Sequence, residues 1–164
     1  MKYFSALLLA LVVGAGCTAA FAQKVTDNGI EIEKNLELMR RDLRSEKKKI
    51  IAVNVPFTDT EATKFWPIYD QYAAEMTKHY DAFYLVIKDY AANQKTLTDD
   101  QALKMIKQWA DIQVGLAQTR QKYIPMFEKV VPGKKAALFL QIDRRLYGLM
   151  DLQIASEVPL VLQN

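Results

Sequence analysis

Residues 57–93, FTDTEATKFWPIYDQYAAEMTKHYDAFYLVIKDYAAN, decide the fold class. The stretch opens with Thr58, which can cap a helix. Glu61, three residues on, can reach back to the cap's own backbone N–H, and the two together make a capping box. Behind it Phe65, Tyr69, Tyr72, Met76, Tyr80, Phe83, Ile87 and Tyr90 recur at steps of three and four, the spacing of one helical face. Asp70, Glu75, Lys78, Asp81 and Lys88 fall between them, so the opposite face is wet. Burying each large side chain of such a stripe is worth about 1.5–3 kcal/mol. This helix therefore needs partners, and the rest of the chain has to supply them.

Downstream, Leu97-Thr98-Asp99-Asp100-Gln101 is a second capping box, Thr98 with Gln101, and its acidic residues lie where the helix macrodipole favours them. The stripe behind it runs Ala102, Met105, Trp109, Ile112, Leu116, Tyr123, Phe127 and Val130, with Arg120 interrupting it. Pro132-Gly133 breaks the chain, and a last helix is expected from about Lys134 to Ser156, apolar on most of its circumference. A helix of that kind is either central in the core or covered by a second chain. Upstream, Ile32, Leu36, Met39, Leu43, Ile50 and Val53 predict a first helix that ends before Pro56, because the residue preceding a proline is pushed out of the α region. No stretch alternates with a two-residue period. The expectation is an all-α, long-helix hairpin or bundle of about four helices over residues 30–164, bent at Pro67 and Pro125, where each proline removes a backbone hydrogen bond.

The start of the chain bears on compartment. Lys2 is the only charge before Lys24, Phe4 to Val13 is a short apolar run, and Ala20-Phe21-Ala22 is a small-x-small pattern. These predict a signal peptide over residues 1–22, cleaved before Gln23, with a flexible leader over 23–29. Gly14-Ala15-Gly16-Cys17 offers lipidation at Cys17 as the alternative, although a bulky apolar residue would be usual where Gly14 stands. Removing 22 residues leaves 142, enough for one domain with a core, and no cysteine. Thiol catalysis and thiolate metal sites are then excluded. It also removes one of 22 basic residues and none of the 19 acidic ones, so the net charge falls to 21 − 19 = +2. A value that small points away from nucleic acid.

Candidate chemistry is sparse. His79 is the only histidine, with Glu75 one turn before it, which is half a metal site at best. Its place at the edge of the apolar stripe favours a structural role. The carboxylates are spaced as solvated helix surface, and no nucleophile–base set or glycine-rich phosphate loop occurs. The sequence therefore predicts no catalytic residue, no cofactor and no metal, and the chain reads as a non-enzyme. The candidate partner surface is the basic run Arg40, Arg41, Arg44, Lys47 and Lys48, suited to anionic lipid headgroups or acidic unfolded chains. Lys134 and Lys135 stand at a helix start, where cations oppose the macrodipole; an anion site or a frayed first turn would each explain them.

The two capping boxes also carry a resemblance. Leu97-Thr98-Asp99-Asp100-Gln101 is similar to the Leu-Thr-x-x-Gln signature of the Spy/CpxP-like periplasmic proteins, and Phe57-Thr58-Asp59-Thr60-Glu61 is a looser copy. The resemblance implies a small periplasmic all-helical protein, a homodimer, that holds unfolded or misassembled envelope proteins without ATP or takes part in an envelope stress response. The chain also resembles a family of bacterial secreted proteins without assigned activity, through Phe65-Trp66-Pro67-Ile68-Tyr69 and through Lys134-Lys135-Ala136-Ala137 followed by Gln141-Ile142. The alternative function is a structural or regulatory protein that docks one specific envelope partner through its apolar last helix. Met76, Met105, Met126 and Met150 fit either a core or an adaptable client surface.

Overall fold

The computed structural model describes residues 46–161. Within them the chain is all-α, with no strand. Helix α1 is described over 46–54; α2 spans Asp59–Asn93, α3 Asp99–Glu128 and α4 Gly133–Glu157. The segments expected as signal peptide and leader, and the first turns of the expected first helix, lie outside the described residues.

Both capping boxes form. Thr58 Oγ1 accepts from the Glu61 N–H at 3.2 Å, and Glu61 Oε2 accepts from the Thr58 N–H at 2.8 Å. Thr98 and Gln101 repeat the exchange at 3.3 and 2.9 Å. Each pair satisfies two backbone donors that a helix start leaves orphaned. Pro67 and Pro125 lie inside α2 and α3, and neither interrupts its helix. Both are exposed, as are Thr63 and Gln121, whose carbonyls lose their usual partners, so water can serve those groups.

The eight apolar residues of the α2 stripe are its eight buried residues, from Phe65 to Tyr90. At one end of the bundle they meet an aromatic cluster drawn from three helices. Phe127 of α3 lies 5.2 Å from Phe65 and 5.8 Å from Tyr72 on α2, and 4.7 Å from Phe139 on α4, ring centre to ring centre. Phe139 also packs edge-on against Phe65 at 5.0 Å. Trp66, half-buried, seals the cluster against Phe57 and Tyr69. Further along, Tyr80 stacks parallel on Tyr147 of α4 at 4.3 Å. Helices α2 and α4 thus meet through long side chains. Helix α3 lies alongside both.

Two stripes differ from their expected course. In α1 and just after it the inward residues are Lys47, Ile51 and Val55, while Ile50 is half-buried and Val53 is exposed. The face is turned by one residue, with Val55 in the buried core. In α3 the stripe is buried only from Leu116 onward, at Leu116, Thr119, Tyr123 and Phe127. None of residues 99–115 is buried. Phe127 faces Phe139 and Arg120 faces Tyr147, so α3 and α4 run antiparallel from their turn. Helix α4, with 25 residues against 30 in α3, runs out before it reaches the first turns of α3.

Candidate functional site

Lys47 departs from the solvent-facing role expected of it. Its side chain is 5% exposed and forms an ion pair with Asp143 of α4, which is 0% exposed. The ammonium sits 3.6 Å from the centre of the Tyr147 ring, a cation–π contact on a ring that Tyr80 stacks upon. Asp143 also accepts a 2.5 Å hydrogen bond from the Tyr72 hydroxyl. Burial lowers the Lys47 pKa, with Arg120 adding to the effect, while Asp143 opposes it. The same surroundings raise the hydroxyl pKa values of Tyr69, Tyr72, Tyr80 and Tyr147, burial first and then mainly the nearby carboxylates Asp143 and Asp151. Arg120, the interruption of the α3 stripe, points at this centre and lies 5.8 Å from the Tyr147 ring. Asp151 extends the polar centre along α4. Its pKa is raised by burial, against the pull of Arg144 and Arg120.

Of the other basic candidates, Arg40, Arg41 and Arg44 lie outside the described residues. Lys48 is half-exposed, pairs with Asp70 at 2.7 Å and lies 5.3 Å from the Trp66 ring centre. The described end of α1 is therefore not a free basic face: Lys47 is inside and Lys48 is paired across to α2. Thr58 and Thr98 are engaged with backbone N–H groups. Glu61 carries a second duty, accepting from Lys135 of α4 at 2.6 Å, and that lysine and the cap hold its carboxyl below the usual range. The pair accounts for Lys135 at a helix start: it clips α4 to the first turn of α2.

Glu75 and His79 are employed separately. Glu75 accepts from Lys122 at 2.7 Å and from the Tyr123 hydroxyl at 2.8 Å, which lowers its pKa; Glu75 in turn helps burial raise that of Tyr123 to about 12. His79 Nε2 lies 2.9 Å from Thr119 Oγ1 on α3. No group of three or more metal-ligating side chains occurs among the described residues. The His79 ring rests on Gly115, where an added Cβ would sit 2.6 Å from Cε1 and 2.8 Å from Nδ1. Here the absence of a side chain is required. Gly115→Ala should lower stability by about 1–3 kcal/mol in urea unfolding, the usual cost of overpacking. His79→Ala in the same chain should restore much of the loss; strict additivity of the two changes would contradict the contact.

The other notable surface is apolar. Leu103, Ile106 and Val114 fall on one side of α3 and all are exposed, Leu103 at 65%. Trp109, between them in sequence, is also exposed. On α4, Leu149 is 64% and Leu152 67% exposed, three residues apart on one face. Leu85 on α2 and Leu160 after α4 add to them. Met76 and Met150 are core, whereas Met105 and Met126 are half-buried. No described helix is long and apolar enough to cross a membrane. Comparison of the chain with protein-family models, curated proteins and solved structures gave no match.

The Lys47–Asp143 pair is masked in the sequence because each member sits in a charged run, Lys47-Lys48-Lys49 and Asp143-Arg144-Arg145. A signal was present. Ala136, Phe139, Asp143, Tyr147, Met150 and Ile154 are spaced three or four apart, which puts Asp143 in the middle of an apolar stripe.

Proposed function

We propose that this chain is an exported helical binding protein of the bacterial envelope, which holds unfolded or misassembled envelope proteins without ATP. The observation that carries the reading is the set of large apolar side chains left exposed on α3 and α4: Leu103, Ile106 and Val114, with Leu149 and Leu152. Scattered single hydrophobes on a surface need no explanation, but clusters of this kind mark interaction sites. The signal-peptide pattern of residues 1–22 and the resemblance of the two capping boxes to periplasmic Spy/CpxP-like proteins agree with it. The exposed Leu149–Leu152 face favours a second reading, in which α4 docks one specific envelope protein.

The two readings separate in one assay. The protein beginning at Gln23 should suppress the aggregation of several unrelated unfolded proteins at near-equimolar ratio and without nucleotide. No suppression, together with saturable retention of a single envelope protein, would replace the first reading with the second.

A further inference from the structure

Helix α3 is held unevenly along its length. From Leu116 onward it is locked, with Leu116, Thr119, Tyr123 and Phe127 buried. Its polar ties to α2 fall in this half: Thr119 Oγ1 lies 2.9 Å from His79 Nε2, and Lys122 and Tyr123 donate to Glu75 at 2.7 and 2.8 Å. Before Gly115 no residue is buried, and the inward side chains Ala102, Met105 and Ile112 are only half-buried. Trp109, whose ring centre lies 5.9 Å from that of Phe83 on α2, is itself 43% exposed. Gly115 stands at the boundary, and glycine is the weakest helix former after proline. The far half of α2 has holds of its own. Tyr80 stacks on Tyr147 of α4, and the Tyr90 hydroxyl donates at 2.9 Å to the Pro159 carbonyl just past the end of α4.

We propose that residues 99–114 are a local unfolding unit, which comes off α2 and unravels as far as Gly115 while the second half of α3, α2 and α4 stay folded. Opening is cheapest where the least buried surface is given up. This segment surrenders half-buried contacts, whereas opening the second half would expose Phe127 and break the ties to His79 and Glu75. The His79 ring rests on Gly115 and meets Thr119 one turn later, so the unravelling stops there. The freed segment stays tethered at both ends, to α2 through residues 94–98 and to the locked half at Leu116. It is therefore a loop and not a swinging lid. Unravelled, it presents Leu103, Met105, Ile106 and Ile112 without fixed geometry and uncovers the side of Phe83 that meets Trp109. Use of that adaptable surface by clients rests on the function proposed above, whereas the unravelling does not.

Hydrogen–deuterium exchange on the unaltered protein tests the unit without any client. Amides of residues 106–114 should exchange roughly tenfold or more faster than those of 118–126, and their rates should rise less steeply with low urea, because a partial opening exposes less surface. One common rate and one common urea dependence would mean that α3 opens only with the whole fold, and would overturn the proposal. So would fast exchange confined to the first turns after Thr98, which is ordinary fraying. A variant separates the two halves. Phe127→Leu weakens packing that the locally opened state retains, so it should raise exchange at 118–126 roughly tenfold and leave 106–114 unchanged. An equal rise in both segments would show that they exchange through the same global opening. Aggregation suppression that persists in that case would leave the broader function standing, and fast local exchange without suppression would leave the unfolding unit standing without it.

Discussion

Truncation of Phe127 to alanine is expected to cost about 3–5 kcal/mol, the range for removing a buried aromatic ring. The upper end is the better expectation here. Phe127 is fully buried and packs against rings of α2 and α4 as well as Tyr123 on its own helix. Such aromatic pairs add about 0.5–1.5 kcal/mol beyond burial. The site cannot collapse easily, because Phe65 and Phe139 are braced against each other. Leu103→Ala on the same helix should change stability by no more than about 0.5 kcal/mol, since that side chain is already in water. Urea unfolding of the two variants gives both numbers, and similar losses would mean that the buried and bare halves of α3 had been confused.

Raising the pH should unfold the protein steeply once it passes about 10, the ordinary tyrosine value. Tyr69, Tyr72, Tyr80, Tyr123 and Tyr147 all have raised hydroxyl pKa values in the fold, with burial the leading cause. In the unfolded chain these groups ionise near 10. Above that pH the folded state binds more protons than the unfolded one, so stability present below pH 10 is lost as pH rises. Tyr69, Tyr72, Tyr80 and Tyr147, the four deeply placed groups, each contribute up to about 1.4 kcal/mol per pH unit, so together they remove several kcal/mol per unit. Tyr123, whose hydroxyl meets the exposed Glu75–Lys122 pair, adds less. Lys47 acts the other way. Its folded pKa is lowered, so between that value and its ordinary one stability rises with pH. One lysine against five tyrosines does not change the outcome. Tyrosinate absorbance and helical circular dichroism, followed together, should show the buried hydroxyls ionising only as the helices melt. Ionisation of all the tyrosines near pH 10 with the helices intact would contradict the buried network.

What the sequence made legible follows from what is local in a helix. Caps and stripes are set by residues three and four apart, so Thr58 with Glu61, Thr98 with Gln101, and all eight inward residues of α2 could be read directly. What depends on a neighbouring helix could not. The stripe of α3 looks alike along its whole length, yet only the half beside α4 is fully buried, because helix lengths and the Pro132-Gly133 turn decide where that partner ends. Lys47 has three charges around it in sequence and looks solvated. Asp143, nearly a hundred residues away, makes it a core residue. Lys135 is unfavourable beside its own helix start until Glu61 from α2 is placed against it.

In the function proposed above, the apolar residues left exposed on α3 and α4 are where unfolded chains are held. The direct measurement compares aggregation suppression by the unaltered protein with that of a variant carrying Leu103→Lys, Val114→Lys and Leu149→Lys. These side chains are exposed, so the variant should keep its helical circular dichroism and melt within a few degrees of the parent. The concentration needed for half-suppression should rise roughly tenfold, equivalent to about 1.4 kcal/mol of lost binding. Undiminished suppression by a folded variant would contradict it.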